Sequence, residues 1–377
     1  MIYLDNNATT KIDQRVYFKQ CEVLNKFYGN PSSLYPAGTS VKEMLNVARQ
    51  QIADFINADL SIGDKLLFTS CATESNNTVL HSVLHPTFNK KQIIISAIEH
   101  PSILSPAKYY ESVGCDVVRI SVNADGLVDE GQLISSISEN TSLVSIMQVN
   151  GETGVIQNIA SIVERIKKIR SDILVHTDAV QAAGKISIDV QDLGVDFLTL
   201  SGHKFYAPKG VGVLFIKAGS PFTPLLMGGH QEYGLRSGTE NTASIVAMGE
   251  AAVIAKNKLE AGAVKVTTTR RDIFETQLIQ FFPDSVIFSK NVPRIGNTTN
   301  VSFKGVVGDK LVFQLAKRNI CVSSGTACNS SSAEPSSTLK AMGIPDEFIH
   351  SIRISLSNET TDADIQALLC ALKEILI

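Results

Sequence analysis

The stretch ILVHTDAVQAAGKISIDVQDLGVDFLTLSGHKF, residues 173–205, carries the pattern on which the fold turns. It holds two short apolar runs, ILVHTD (173–178) and FLTL (197–200), and each gives way at once to polar chemistry: Asp178 in the first, Ser201, Gly202, His203 and Lys204 in the second. A continuous apolar run of this length suits a strand buried on both faces, since a half-buried strand alternates. The same kind of run recurs as KLLF (65–68), QIIISA (92–97), DVVRI (116–120), LVSIM (143–147) and GVLFI (212–216). Helical periodicity lies between several of them. Ile159, Ile162, Val163, Ile166 and Ile169 recur at helical spacing, as do Val41, Met44, Leu45, Ala48, Ile52 and Phe55. Strand and helix alternating in this way predict an α/β domain with a mostly parallel, seven-stranded sheet flanked by helices.

Downstream the pattern changes. A long helical stretch from about Thr242 to Leu259 leaves this domain, and helical residues 265–281 follow. Then come NTTNVSF, a helix near 307–318, the strand-like NICVS, SIRISL and a final helix over 361–376. This order predicts a smaller α+β domain. The expected division is 15–255 for the large domain, and 1–14 with 256–377 for the small one.

Composition narrows the classes. The chain has 377 residues, 44% hydrophobic and 19% charged, with net charge −3, which fits two or three globular domains and gives no basic face for nucleic acid. No apolar run approaches the roughly 20 residues of a membrane span. The start, MIYLDNNATT, is polar within five residues, so no secretory leader is expected. The six cysteines, at 21, 71, 115, 321, 328 and 370, form no CxxC pair, so no metal site or thioredoxin-like motif is predicted. A reducing, cytoplasmic setting is expected.

Candidate chemistry sits where strands end. Lys204 follows FLTL, at the edge where α/β sheets bind ligands, although a lysine taken alone is usually a surface loop residue. Asp178 ends an apolar strand, so its carboxylate needs a donor or a cation. A helix N-cap satisfies it, and so does a protonated pyridinium nitrogen. In FTSCATESNN (68–77) a strand turns into a helix, leaving backbone N–H groups near Ala72 and Thr73 free to grip a phosphate. In SAIEHPS (96–102), His100 ends another strand and could stack on a flat ring and move protons. Each signal is weak alone. Together they supply a phosphate grip, a stacking base, a ring-nitrogen carboxylate and a lysine for an aldehyde cofactor, which is the pyridoxal phosphate arrangement. One further stretch stands apart: SSGTACNSSS (323–332) sets Cys328 among small polar residues, where a core cysteine would have apolar neighbours.

The set YLDNNATT (3–10), YGNPSSLY (28–35), ATESNN (72–77), EHPS (99–102), NGETG (150–154), HTDAVQAAGK (176–185), SGHKFYAPKGVG (201–212), RSGTEN (236–241) and SSGTAC (323–328) resembles the cysteine desulfurases, fold-type I pyridoxal phosphate enzymes, over essentially the whole chain. The SSGTAC loop, about 323–335, resembles the group with a long cysteine loop. The resemblance implies that Lys204 carries the cofactor, Asp178 pairs with the ring nitrogen, Gln181 bonds the phenolic oxygen and His100 stacks on the ring. It implies a phosphate grip from Ala72, Thr73, Ser201 and His203, with Thr239 reaching across a homodimer, and a substrate carboxylate held by Asn150 and Arg353. L-cysteine would be the substrate. Cys328 would take its sulfur as a persulfide and hand it to an acceptor protein, a task for which a loop of serine, glycine and alanine is suited.

Three positions depart from that pattern. Cys71 and His230 stand where the family usually has glycine, and both read as local packing. Cys321, between Ile320 and Val322, reads as a strand core residue in preference to a disulfide partner. Competing readings are a selenocysteine lyase, an aminotransferase of the same fold, or a sulfur-relay scaffold. The loop argues against the aminotransferase, and Lys204, Asp178 and His100 argue against the scaffold. The sulfur could feed iron–sulfur clusters, tRNA thiolation or DNA phosphorothioation. The chain ends at ALLCALKEILI without the tail usual in housekeeping iron–sulfur members, which leans the expectation toward a dedicated pathway such as DNA sulfur modification.

Overall fold

A computed structural model describes residues 1–84, 91–325 and 335–377. The chain opens with a short strand, β1 (Ile2–Tyr3), and helices α1 (Gln14–Lys26) and α2 (Pro36–Ile56). Asp13 caps α1 by accepting from the Arg15 N–H, and Pro36 opens α2, where a missing N–H costs nothing. Strand and helix then alternate through β2 (Lys65–Thr69), α3 (Ala72–Leu84), β3 (Gln92–Ser96), α4 (Pro101–Ser112), β4 (Asp116–Ile120), α5 (Glu130–Ser135) and β5 (Thr141–Ser145). The alternation continues through α6 (Ile159–Ile169), β6 (Leu174–Asp178), α7 (Val190–Leu193), β7 (Phe197–Ser201) and β8 (Gly212–Ile216). Helices α8 (Thr242–Glu260) and α9 (Ala263–Phe281) lead to β9 (Val286–Ile287), β10 (Thr298–Ser302) and α10 (Gly308–Ala316). The chain finishes with β11 (Ile320–Cys321), α11 (Ser337–Ala341), β12 (Ser351–Ser355) and α12 (Asp362–Leu376).

The large sheet has seven strands in the order β2-β8-β7-β6-β5-β3-β4. Strands β4, β3, β5, β6 and β7 pair in parallel, and β8 runs antiparallel to both β7 and β2. β2 therefore points the same way as the parallel set. The carboxyl ends of β2, β3, β6 and β7 lie along one edge, and all four candidate stretches follow those ends. Strands β3, β5, β7 and β8 are buried along their whole length, as continuous apolar runs require.

Most helical stripes face the core: Ile159, Ile162, Val163 and Ile166 are buried, as are Val41, Leu45, Ala48, Ile52 and Phe55. Ile169 does not follow. It is the last residue of α6 and is 50% exposed. The run LVSIM is also displaced, because the ladder covers Thr141–Ser145 while Ile146 and Met147 stay buried past its end. In NICVS only Ile320 and Cys321 form a strand, pairing in parallel with Ile2 and Tyr3. Cys321 is half-buried there between buried Ile320 and Val322.

A second sheet, β12-β10-β9, is antiparallel and packs with α9, α10 and α12. Its core gathers Leu4, Phe274, Leu278, Val301, Leu315, Ile352, Ile354, Leu368 and Leu372. Helix α1 instead packs on α8, with Val23 against Ala243 and Val246.

Two anchors bear on the site edge. Glu232 adopts a left-handed backbone, φ 45°, yet its carboxylate is buried and forms a bidentate pair with Arg49 at 2.8 and 2.9 Å. It also accepts from the Phe68 N–H of β2, which pins the segment leading to RSGTEN beside the end of that strand. Phe205, directly after Lys204, is 1% exposed and packs its ring 5.4 Å from Phe55. Phe205→Ala should cost about 3–5 kcal/mol of stability in denaturant unfolding, and Phe205→Leu distinctly less.

Candidate active site

The edge assembles from short-range causes. β7 ends in Ser201, and Gly202 leads a single tight turn that brings Lys204 back over the strand end. A Cβ on Gly202 would lie 3.0 Å from Ala207 and 3.1 Å from Val211, so glycine is what lets the turn close. Lys204 Nζ donates to the carbonyls of Asn7 (2.6 Å) and Ala8 (2.8 Å). The Asn7 carbonyl also accepts from Gln181 Nε2 at 2.9 Å. Lys204 and Gln181 therefore meet on one backbone oxygen. Gln181 Oε1 in turn accepts from Lys185 Nζ at 2.5 Å, and full burial pushes the Lys185 ammonium well below its ordinary range.

Asp178, at the end of β6, is 6% exposed. Its carboxylate accepts from the Val180 N–H at 3.0 Å and from Asn76 Nδ2 at 2.8 Å. Among the described residues it has no ion pair. The turn bond to Val180 resembles an N-cap, but the strand end carries no helix there. His100 does cap a helix. Its Nδ1 accepts from the Ser102 N–H at 3.1 Å at the start of α4, while the ring itself is exposed.

Helix α3 starts at Ala72, within the expected strand-to-helix turn. Thr73 is exposed at that helix start, and Ser201 is buried below it at the end of β7. His203 Nδ1 lies 3.1 Å from Thr9 Oγ1, and burial with the neighbouring Lys204 charge pushes its imidazole down to about 4. Arg236 forms an ion pair with Glu74 of α3 at 2.8 Å, which brings RSGTEN to the same corner; Thr239 is exposed there. Cys71 sits in the β2–α3 turn against Gly212, where a Cβ would come within 2.7 Å of the Cys71 carbonyl carbon. His230 is exposed.

The substrate candidates also converge. Arg353 of β12 donates to the Gly151 carbonyl (3.1 Å), next to Asn150, and to the Gly325 carbonyl (3.4 Å), and it pairs with Asp5 at 2.7 Å. Its Nε is buried with no partner among the described residues. Asn150 Oδ1 accepts from the Glu152 and Thr153 backbone N–H groups and the Thr153 hydroxyl, leaving its Nδ2 directed to Ile98 O at 3.4 Å and Met147 Sδ at 3.5 Å. Cys328 lies outside the described residues. The described stem of its loop is held beside Arg353, since Ser323 and Arg353 exchange both backbone bonds, at 2.7 and 3.1 Å.

Several participants carried no role in the sequence reading. Asp5, Asn7, Ala8, Thr9 and Thr10 cross the edge and bind Arg353, Lys204, Gln181 and His203. YLDNNATT was conspicuous as a motif, but nothing in it marked backbone carbonyls as lysine acceptors. Glu99 is 4% exposed, with Oε1 accepting from Ser96 Oγ (2.6 Å) and Met147 N–H (2.8 Å), and Oε2 lacks a partner among the described residues. Burial pushes its carboxyl up to about 8, and the nearby Asp178 charge adds to this. Beneath Asp178, burial likewise pushes His176 down to about 4, between Ser145 and Thr199. A groove of about 670 Å³ is lined by Leu174 at the start of β6, so it lies at the opposite end of the strands from Asp178.

A model described as aminotransferase class V matches residues 2–368. The chain belongs to the class-V aminotransferase family. A cysteine desulfurase of Trichormus azollae is 42% identical over 376 residues, 100% of this chain and 92% of that one. The solved NifS-like protein of Rickettsia africae matches with TM-score 0.90 and 36% identity, over 100% of this chain and 99% of that one. A structure described as SspA in complex with cysteine matches with TM-score 0.82 and 32% identity, over 96% and 100%. The fold is that of the fold-type I pyridoxal phosphate enzymes, and class-V cysteine desulfurases depend on that cofactor. The residues present fit it. A buried carboxylate with only neutral donors lacks a cation, which a protonated ring nitrogen would supply. A lysine, an exposed imidazole and a helix start stand on the same edge.

Glu99 makes a pH prediction. Its folded carboxyl holds a proton that the unfolded chain releases above the ordinary 4.5. Its contribution is fully present below pH 4.5 and is lost as pH rises toward about 8, by up to about 1.4 kcal/mol per pH unit. Glu99→Gln keeps the acceptor and cannot ionise. Urea midpoints from pH 5 to 9 should fall less steeply in Glu99→Gln than in the wild type.

Proposed function

We propose that this protein is an L-cysteine desulfurase that passes sulfur through Cys328. What carries the reading is the convergence of Lys204, Asp178, Gln181 and His100 on one sheet edge in a chain similar end to end to cysteine desulfurases. Residues 15–255 form the cofactor domain, and 1–14 with 256–377 the smaller one.

Lys204 would carry the cofactor, Asp178 would hold the proton on its ring nitrogen, and Gln181 would bond its phenolic oxygen. Ala72, Thr73, Ser201 and His203 grip the phosphate, with Thr239 supplied across a homodimer. When bound, pyridoxal phosphate supplies an electron sink that weakens the carbon–sulfur bond of cysteine. His100, at the same edge, would face the ring and move protons. Arg353 holds the substrate carboxylate with Asn150, and its Nε, buried without a partner among the described residues, is a donor suited to that task. The Cys328 thiolate forms a sulfur–sulfur bond as the carbon–sulfur bond breaks, so L-cysteine and the Cys328 thiol become L-alanine and a Cys328 persulfide. The persulfide sulfur then passes to an acceptor protein. Among the described residues no helix is long and apolar enough to cross a membrane.

Purified protein given L-cysteine and a thiol reductant should release sulfide and alanine in equal amounts. Cys328→Ala should keep the yellow cofactor and lose at least 100-fold in sulfide formation. Lys204→Ala should lose both the normal visible band and activity. Equal sulfide from wild type and Cys328→Ala would refute the persulfide route and favour lyase chemistry of the selenocysteine-lyase kind.

A further inference from the structure

Three hydrogen bonds join Asp178 to His100 through side chains that the proposed chemistry has not used. Asn76 of α3, fully buried, donates from Nδ2 to Asp178 Oδ2 at 2.8 Å and to Ser102 Oγ at 2.8 Å. Ser102 Oγ lies 2.8 Å from His100 Nδ1. The direction of each bond follows from the groups. Asp178 as a carboxylate only accepts, so Asn76 must face it with its amide nitrogen. Asn76 Oδ1 is then left buried with no partner among the described residues. The Ser102 backbone N–H donates to His100 Nδ1 at 3.1 Å, so that ring nitrogen is an acceptor. Ser102 Oγ takes a hydrogen from Asn76 and turns its own toward the same Nδ1. A neutral imidazole whose Nδ1 accepts carries its proton on Nε2, the other nitrogen of an exposed ring.

We propose that Asn76 and Ser102 are positioning residues that tie His100 to Asp178 and lock the neutral imidazole as its Nε2–H tautomer. The carboxylate that faces the cofactor and the imidazole that moves protons then belong to one hydrogen-bonded unit. Both residues lie at helix starts after sheet strands, α3 after β2 and α4 after β3, so the unit also fixes two separate strand ends relative to β6. The kinetic part rests on the desulfurase reading. The tautomer assignment does not.

The test uses the holoenzyme labelled with nitrogen-15 at its seven histidines, with His100→Gln identifying the His100 signals in solid-state nitrogen spectra. The wild type should show Nε2 protonated and Nδ1 bare and hydrogen-bonded. Ser102→Ala keeps the backbone donor and removes the hydroxyl, so the Nδ1 signal should move toward that of a less hydrogen-bonded nitrogen. With it, kcat for alanine formation should fall about tenfold, the effect of one hydrogen bond, with KM for cysteine within about twofold. Ser102→Thr should restore both. Asn76→Ala should shift the cofactor's visible band as well, because it strips a donor from Asp178, whereas Ser102→Ala should leave the band in place. A wild-type His100 protonated at Nδ1 overturns the proposal, and so does a Ser102→Ala variant with unchanged nitrogen signals and unchanged kcat. A wild type that makes no alanine but shows the expected tautomer counts against the desulfurase reading alone.

Discussion

The site is organised around one buried negative charge. Asp178 has a single face to offer a cofactor, and its other contacts are neutral donors, the Val180 N–H and the Asn76 amide. A second carboxylate nearby could not also ionise at low cost. Glu99 is that second carboxyl, and burial keeps it protonated well into the neutral range. His176 in the same strand is held neutral by burial, so it adds no positive charge that would quench Asp178 from below. The environment thus leaves one charge, at one strand end, to be met by a cation from the cleft. A structural aspartate in a helix cap would need none of this.

The N-terminal segment makes the edge a cleft. β1 joins the small sheet side through β11, and Leu4 is part of the second core. Residues 5–10 then run over the ends of the large sheet, giving carbonyls to Lys204 and Gln181 and side-chain oxygens to Arg353 and the His203 turn. These contacts come largely from backbone carbonyls and short polar side chains. That explains a run as polar as DNNATT in a place otherwise surrounded by core. The lysine meets two carbonyls, and its buried neighbour Lys185 is held on Gln181, so two amines sit close together with acceptors for each. A small cavity of about 30 Å³ lies between them and the small-sheet side, with room for about a water molecule.

The strand ends were legible because strands buried on both faces write themselves as apolar runs, and the chemistry begins where each run stops. Asp178, Lys204 and His100 were each marked by that transition. The inner strands were legible for the same reason, whereas edge strand β4 exposes Asp116 and Arg119; the strand order was not legible, since β2 reaches its place only by pairing with β8. What stayed hidden was long-range and polar. Nothing local in Asn76 says that it will bridge residues 102 and 178, and nothing in Asp5 says that it will pair with residue 353. Ile169 failed for the opposite reason: helical periodicity continues to the last residue of α6, but that residue is half exposed.

Arg353 binds the last pieces together. It reaches Asp5, the Gly151 carbonyl and the Gly325 carbonyl, and its backbone pairs with Ser323. Gly325 has φ 56°, and a Cβ there would lie 2.9 Å from buried Glu152, whose carboxyl is itself pushed up by burial. Glycine is required on both counts, by conformation and by space. The stem of the SSGTAC loop is therefore fastened to the same arginine that is proposed to hold the substrate. Three peptide steps separate Gly325 from Cys328, a reach of at most about 11 Å. A sulfur carrier at that covalent distance from the proposed substrate anchor would meet the substrate at a concentration set by the tether, not by diffusion.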